Sequence, residues 1–250
     1  MTRNICLTIE YDGTRFSGWQ VQRVKAGKRV KTIQEEIEKA GKKLFGKKIS
    51  LLGAGRTDAG VHAEAQKANF KLGTTLPLYN IEKGLNSYLP KDIAVILAED
   101  AGDDFHARFD AKEKLYRYTI INRNTRSPLL NRYAAFVYRE LDADAMKKAA
   151  KYFVGKKDFR SFQASDKKEK DSVRTVTRCD IVVKPPVIEI YVQADGFLYN
   201  MVRNIAGTLI DVGRGRTKPE EIAEILSKKD RTTAGQTAPA KGLCLVKVSY

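Results

Sequence analysis

Residues 3–10 (Arg-Asn-Ile-Cys-Leu-Thr-Ile-Glu) make an apolar, β-prone run, which predicts a strand ended by the turn residues Tyr11-Asp12-Gly13. The period then changes. Ile33, Ile37, Ala40 and Leu44 share one helical face, Thr32 with Glu35 makes a capping box, and Gly46 supplies a C-terminal stop, so a helix is expected over 32–45. A short strand over 49–53 and a weaker one over 64–71 follow. Ile81, Leu85, Tyr88 and Leu89 mark a helix over 79–89, closed by Pro90, and Ile93 to Ala98 read as a buried strand. The order β-α-β-β-α-β is that of the split βαβ, or ferredoxin-like, unit.

Beyond residue 102 the same order returns more loosely. Strands are expected over 114–121 and 132–138, then a helix over 143–154 capped by Asp142. The lysine-rich stretch 156–172 reads as a flexible basic segment. Strands over 174–183 and 187–194 flank Lys184-Pro185-Pro186. A helix over 197–212 aligns Phe197, Met201, Ile205, Leu209 and Val212; a short helix over 219–228 and a strand over 243–249 complete the chain. The expected fold class is α+β. Two ferredoxin-like (βαββαβ, RRM-like) halves, 1–102 and 103–250, would form a continuous mixed or antiparallel sheet, with helices packed on it and a central cleft. Ligand sites favour such boundaries.

Charge adds a partner to this fold. Lysine and arginine number 46 against 30 acidic residues, a net charge of +16, and a polyanion is the natural ligand for such an excess. The loop 12–31 mixes Phe16 and Trp19 with basic side chains. Aromatic and basic residues together can stack on bases and hold phosphates, so Arg15, Trp19, Arg23, Lys25, Lys28 and Arg29 are candidate RNA contacts. Core packing suits Trp19 equally well. Cys6, Cys179 and Cys244 show no CxxC spacing, which fits a reducing compartment. Asp12 and Arg15 interrupt any signal peptide, and no run approaches the ~18 apolar residues of a membrane span. A soluble, cytoplasmic protein is expected, with no membrane partner.

Groups able to do chemistry are few. In Leu51 to Ala63, Gly53, Gly55 and Gly60 bracket Arg56 and Asp58. Glycine frees the backbone, so this turn can present one carboxylate and one guanidinium to a substrate; a strand corner with a surface ion pair also fits. On the helix expected at 197–212, Asn200, Arg203, Asn204 and Gly207 share a polar face at i, i+3, i+4 and i+7. An arginine on so apolar a helix costs desolvation unless paired. Asp58 is an attractive partner and would be held ionised by the pairing; a structural brace is the alternative. Tyr116 and Tyr118 share one strand face. His62 and His106 read as structural residues, and two histidines with scattered cysteines make no zinc cluster, so no metal is expected. A dinucleotide fingerprint would need glycine where Asp58 stands, and no Gly-Lys-Ser/Thr follows for a phosphate loop. One carboxylate argues against two-metal nuclease and paired-carboxylate glycosidase chemistry, leaving a lone nucleophilic or basic aspartate. Tandem RRM domains would carry aromatic RNP strands, and that pattern is missing.

Longer motifs narrow the choice. Gly53-Ala54-Gly55-Arg56-Thr57-Asp58-Ala59-Gly60-Val61-His62-Ala63 resembles the signature around the catalytic aspartate of the TruA family of tRNA pseudouridine synthases. Tyr11-Asp12-Gly13-Thr14, Phe16-Ser17-Gly18-Trp19-Gln20, Phe109-Asp110-Ala111, Tyr116-Arg117-Tyr118 and Asp158-Phe159-Arg160-Ser161-Phe162 are similar to further family motifs. So are Phe197 to Asn204, Asp230-Arg231 and Thr237 to Leu243. The resemblance covers nearly the whole chain. It implies isomerisation of uridine to pseudouridine at tRNA positions 38, 39 and 40 in the anticodon stem and loop, without cofactor or metal, by a homodimer whose RNA contacts span both subunits. Asp58 would be the catalytic residue, acting as nucleophile or base. Arg56 would hold the flipped-out nucleotide, Tyr116 would stack on the base, Arg203 would pair with Asp58, and Leu245 with Gly242-Leu243 would line the uracil pocket. Lys67 and Asn69 stand where the family often has valine and histidine; both lie off the catalytic loop.

Overall fold

In the computed structural model, which describes residues 2–22, 30–164 and 171–250, the chain divides into two compact units. The first is Met1–Ala111 with Leu245–Tyr250; the second is Lys112–Cys244.

The first unit is built around β1 (Thr2–Tyr11), buried without interruption from Asn4 to Ile9. A strand buried in this way lies inside a sheet, its backbone groups paired on both edges, and β1 does. It pairs antiparallel with β3 (His62–Gly73), Ile5 opposite Phe70, and with β4 (Ile93–Ala101), Leu7 opposite Ala98. The two-residue β2 (Leu52–Gly53) also pairs with β3. The last strand, β10 (Leu243–Ser249), lies beside β3. Helices α1 (Ile33–Phe45) and α2 (Leu78–Tyr88) complete the order β1-α1-β2-β3-α2-β4. Burying Ile5, Leu7, Ile9, Ile33, Ile37 and Phe70 stabilises the unit by roughly 1.5–3 kcal/mol for each side chain.

The start of α1 is closed completely. A helix leaves its first N–H groups without internal partners. Here the Ile33 N–H donates to the Gly18 carbonyl at 3.1 Å and the Gln34 N–H to the Trp19 carbonyl at 3.0 Å. The Glu35 N–H donates to Thr32 Oγ1 at 3.4 Å, the bond expected of the cap, and Gly46 ends the helix with φ 68°. Residues 103–111 join this unit through buried amides. Asn4 donates to the carbonyls of Gly102 and Phe105, while Asn69 donates to Asn4 and accepts from the Ala107 N–H at 2.9 Å.

The second unit holds β5 (Glu113–Asn122), β6 (Ala135–Val137), β7 (Gly155–Asp158), β8 (Val173–Lys184) and β9 (Val187–Ala194) in the order β6-β5-β9-β8-β7. The β5–β6 pair is parallel and the others antiparallel, so the sheet is mixed. Helices α3 (Ala143–Ala150), α4 (Met201–Gly213) and α5 (Glu221–Lys228) belong to it. Asp142 caps α3 as expected, accepting from the Asp144 and Ala145 N–H groups at 3.0 and 2.9 Å. Cys6 and Cys179 are free thiols, and burial pushes the Cys179 thiol up to about 12. Among the described residues no helix is long and apolar enough to cross a membrane.

Five expectations are corrected. The stretch 49–53 is strand only at Leu52–Gly53, and 132–138 only at Ala135–Val137. The strand expected to be buried at 93–98 is a sheet edge with one neighbour, which leaves Ile96 and Leu97 exposed. The basic stretch 156–172 opens with β7 and a 3-10 turn, Arg160–Phe162, because Phe159 and Phe162 are fully buried and anchor it. Finally, the helix expected from 197 starts at Met201. Asn200 has φ 59°, a left-handed conformation that no right-handed helix continues through.

Ile37→Ala is expected to lower the unfolding free energy by about 2–5 kcal/mol in urea titrations, since the residue is wholly buried, whereas Ile96→Ala on the exposed edge changes it by less than about 0.5 kcal/mol.

Candidate active site

The loop 53–61 is shaped by what lies beneath it. Trp19 is 2% exposed, with its ring 6.1 Å from that of Tyr11. A Cβ on Gly53 would stand 2.5 Å from the indole Nε1, so the flat ring requires glycine there. Gly60 has φ 78° and serves the turn that brings the Val61 N–H to the Asp58 carbonyl at 3.2 Å.

Hydrogen bonds hold the loop on both sides of its charged residues. The Ala54 N–H donates to the Lys67 carbonyl at 2.7 Å, and Gln66 Nε2 to the Gly55 carbonyl at 3.0 Å. The Trp19 N–H donates to the Thr57 carbonyl at 3.0 Å, and the Thr57 hydroxyl meets the Tyr11 hydroxyl at 2.7 Å in a buried contact. Thr57 is buried between an exposed Arg56 and a half-buried Asp58. The arginine and the carboxylate are therefore displayed from a backbone that is tied down between them. His62 Nδ1 accepts the Gly13 N–H at 3.1 Å and lies 3.2 Å from Asp12 Oδ1.

The candidate RNA contacts fare differently. Trp19 is corrected: its ring is sealed in the core beneath the loop and offers no face to a base. Arg15 is exposed and ion-paired with Asp92. Arg23, Lys25, Lys28 and Arg29 lie outside the described residues.

In the second unit, Tyr116 on β5 is buried and meets Phe197 edge-on, with ring centroids 4.9 Å apart. Arg203 on α4 donates from Nη1 to Asn200 Oδ1 and from Nε to the Ala238 carbonyl, both at 2.8 Å. Tyr116 and Arg203 are thus both braced against the non-helical turn 197–200. Tyr118 is buried and donates to the Pro239 carbonyl at 2.9 Å; burial raises its phenol, and the charge of Arg203 opposes that shift. Leu245, on β10 in the first unit, is fully buried.

The polar face of α4 has work that the spacing alone did not reveal. It holds the segment 231–238. Asn204 is fully buried; its Nδ2 donates to the Phe162 carbonyl at 2.7 Å, and its Oδ1 accepts from Thr237 Oγ1 at 2.7 Å and Arg231 Nη2 at 3.0 Å. The Ala238 N–H donates to the Arg203 carbonyl at 3.1 Å. Gly207 has no room for a side chain, since a Cβ there would lie 1.7 Å from the Gln236 carbonyl oxygen. A buried amide on a helix with arginine and threonine some thirty residues on is the signal that sequence reading passed over.

A family model described as tRNA pseudouridine synthase matches residues 7–110 and 149–250. Among curated proteins, tRNA pseudouridine synthase A 2 of Clostridium perfringens is 50% identical over 248 residues, covering 99% of this chain and all of the relative. The tRNA pseudouridine synthases A of Caldicellulosiruptor bescii and Pelobacter propionicus are 49% and 47% identical over 248 residues, with the same coverage. These full-length similarities also span residues 111–148, which include Tyr116.

Asn204→Ala is expected to destabilise the chain by about 3 kcal/mol or more, because it strips buried partners from Phe162, Arg231 and Thr237, while Thr237→Val costs about 1 kcal/mol; thermal and urea unfolding of the two variants check the order.

Proposed function

The chain belongs to the tRNA pseudouridine synthase family, a family of isomerases, and on that premise we propose that it converts uridine to pseudouridine at positions 38, 39 and 40 in the anticodon stem and loop of tRNA, with Asp58 as the catalytic residue. The observation that carries this reading is the fixed loop itself. Hydrogen bonds from Trp19 and Gln66 hold the backbone around a half-buried carboxylate, and a hydroxyl contact with Tyr11 holds the Thr57 side chain beside it, so the loop is set before substrate arrives.

The reaction is an isomerisation, and its balance needs no oxidant, reductant or cofactor. A base in a stem must leave its stack before an enzyme reaches it. Arg56, exposed beside Asp58, holds the flipped state. Asp58 acts on the nucleoside as nucleophile or as base, and the C1′–N1 bond breaks. The uracil turns and rejoins C1′ through C5; C5 gives up its proton and N1 gains one. Tyr116 and Arg203 bind substrate, with Leu245 as an apolar backing, and exclusion of water keeps the loosened base from being lost. Arg15, Arg23, Lys25, Lys28 and Arg29 contribute to RNA contact. Two copies of the chain form a homodimer that acts in the cytoplasm. Each unit is read as a ferredoxin-like variant, a view supported by the β-α-β-β-α-β order of the first.

Asp58→Asn is expected to abolish tritium release from C5-labelled uridine in tRNA while tRNA affinity stays within about tenfold, or ~1.4 kcal/mol; a fully active variant overturns the assignment. With wild type and unmodified tRNA, carbodiimide treatment and primer extension should stop at positions 38 to 40, and stops elsewhere would revise the substrate site.

A further inference from the structure

One buried amide in the first unit fixes the direction of a hydrogen-bond chain that ends on the catalytic loop. Glutamine offers two donors and one oxygen with two lone pairs. Gln34, on α1, uses all of them. Its Nε2 donates to Glu38 Oε1 at 3.0 Å and to the Leu51 carbonyl at 3.1 Å. Its Oε1 accepts from Gln20 Nε2 at 2.8 Å and from the Val21 N–H at 3.1 Å. Turning this amide over would set donor against donor and oxygen against oxygen, so only one orientation serves.

That orientation dictates the next residue. Gln20 must give its NH₂ group to Gln34, which leaves its Oε1 to face the loop. There it accepts from Arg56 Nε at 3.2 Å. The chain therefore begins on the carboxylate of Glu38, itself held by the Leu51 N–H at 3.1 Å, and ends on a guanidinium. Every link donates in the same sense, from the cation toward the anion, and such links polarise one another. The backbone supports the alignment, because the bond from the Trp19 N–H to the Thr57 carbonyl joins the residue before Gln20 to the residue after Arg56.

We propose that Gln20, oriented by Gln34, is a positioning residue that aims Arg56 at the RNA. With Nε committed to Gln20, the two terminal guanidinium nitrogens remain for a phosphate or a base carbonyl, a paired geometry suited to oxygen ligands. A guanidinium on an exposed side chain otherwise samples many rotamers, and holding it in one lowers the entropy lost when the flipped nucleotide is captured. The inference rests on the assignment of Arg56 to the flipped state.

A double-mutant cycle tests it. Pseudouridine formation in tRNA is measured for wild type, Gln20→Leu, Arg56→Ala and the double variant, with kcat and KM resolved and thermal midpoints compared. Gln20→Leu is expected to lower kcat by about five- to tenfold with KM changed less than twofold, and to have no further effect once Arg56 is alanine. Gln20→Asn, one methylene too short to reach both partners, should give the same pattern if the leucine variant folds poorly. Equal losses in both backgrounds, or none in either, overturn the inference. An Arg56→Ala enzyme as fast as wild type overturns it too while leaving the catalytic role of Asp58 standing. Wild-type protein that makes no pseudouridine overturns the functional reading beneath it.

Discussion

Thr57 is the constraint on which the arrangement of the first unit's glycine loop depends. Its carbonyl takes the Trp19 N–H and its hydroxyl meets Tyr11, so it is drawn into the core while its two neighbours are left toward the surface. Had Thr57 been free to turn, the charged pair on either side would have turned with it. The requirement spreads outward. Trp19 must lie under Gly53, the chain from Phe16 to Gln20 must run across the start of α1, and the carbonyls of Gly18 and Trp19 then meet the helix's first donors. One buried threonine thus couples the glycine loop, the tryptophan and the helix terminus into a single arrangement.

The second unit solves a related problem with polar groups inside its core. Helix α4 is buried almost throughout, yet carries Asn204 and Thr208 with no exposed surface to speak of. Both are accounted for: Asn204 binds Phe162, Thr237 and Arg231, and Thr208 accepts the Gly235 N–H at 2.9 Å while donating to the Asn204 carbonyl at 2.8 Å. Unsatisfied, such groups destabilise; satisfied, they allow one registration of the segment 231–238 and no other. Arg203 receives its direction from the same segment, through the Ala238 carbonyl.

Much of this was legible in the sequence wherever one physical rule acted alone. Periodicity and capping located α1 to within a residue, and alternation located β8, β9 and β10. The glycines around Asp58 marked a turn, and the chain does turn there, held by Trp19 and Gln66. Legibility failed where tertiary partners decided. Lysines dominate 156–172, but two phenylalanines there find a core that no local window contains. The pattern of α4 extends back to Phe197, yet Asn200 turns out of the helix so that its side chain can meet Arg203. Trp19 reads equally as a stacking aromatic or as core until the space under Gly53 is known. Gln20 and Gln34 are unremarkable in a string; only their mutual orientation gives them meaning.

The closed terminus of α1 bears on how a polyanion can be gripped. Helix starts commonly hold phosphates with their free amides, but Ile33, Gln34 and Glu35 have already spent theirs on Gly18, Trp19 and Thr32. Those three amides therefore offer no cradle to a phosphate, and lysine or arginine side chains would have to supply any anchoring beside them. Contacts of that kind draw their free energy from counterions released off the nucleic acid, so the logarithm of affinity falls with the logarithm of salt concentration by about 0.7–0.9 for each phosphate neutralised. Where a polyanion meets side chains of that kind, ionic strength sets how tightly it is held.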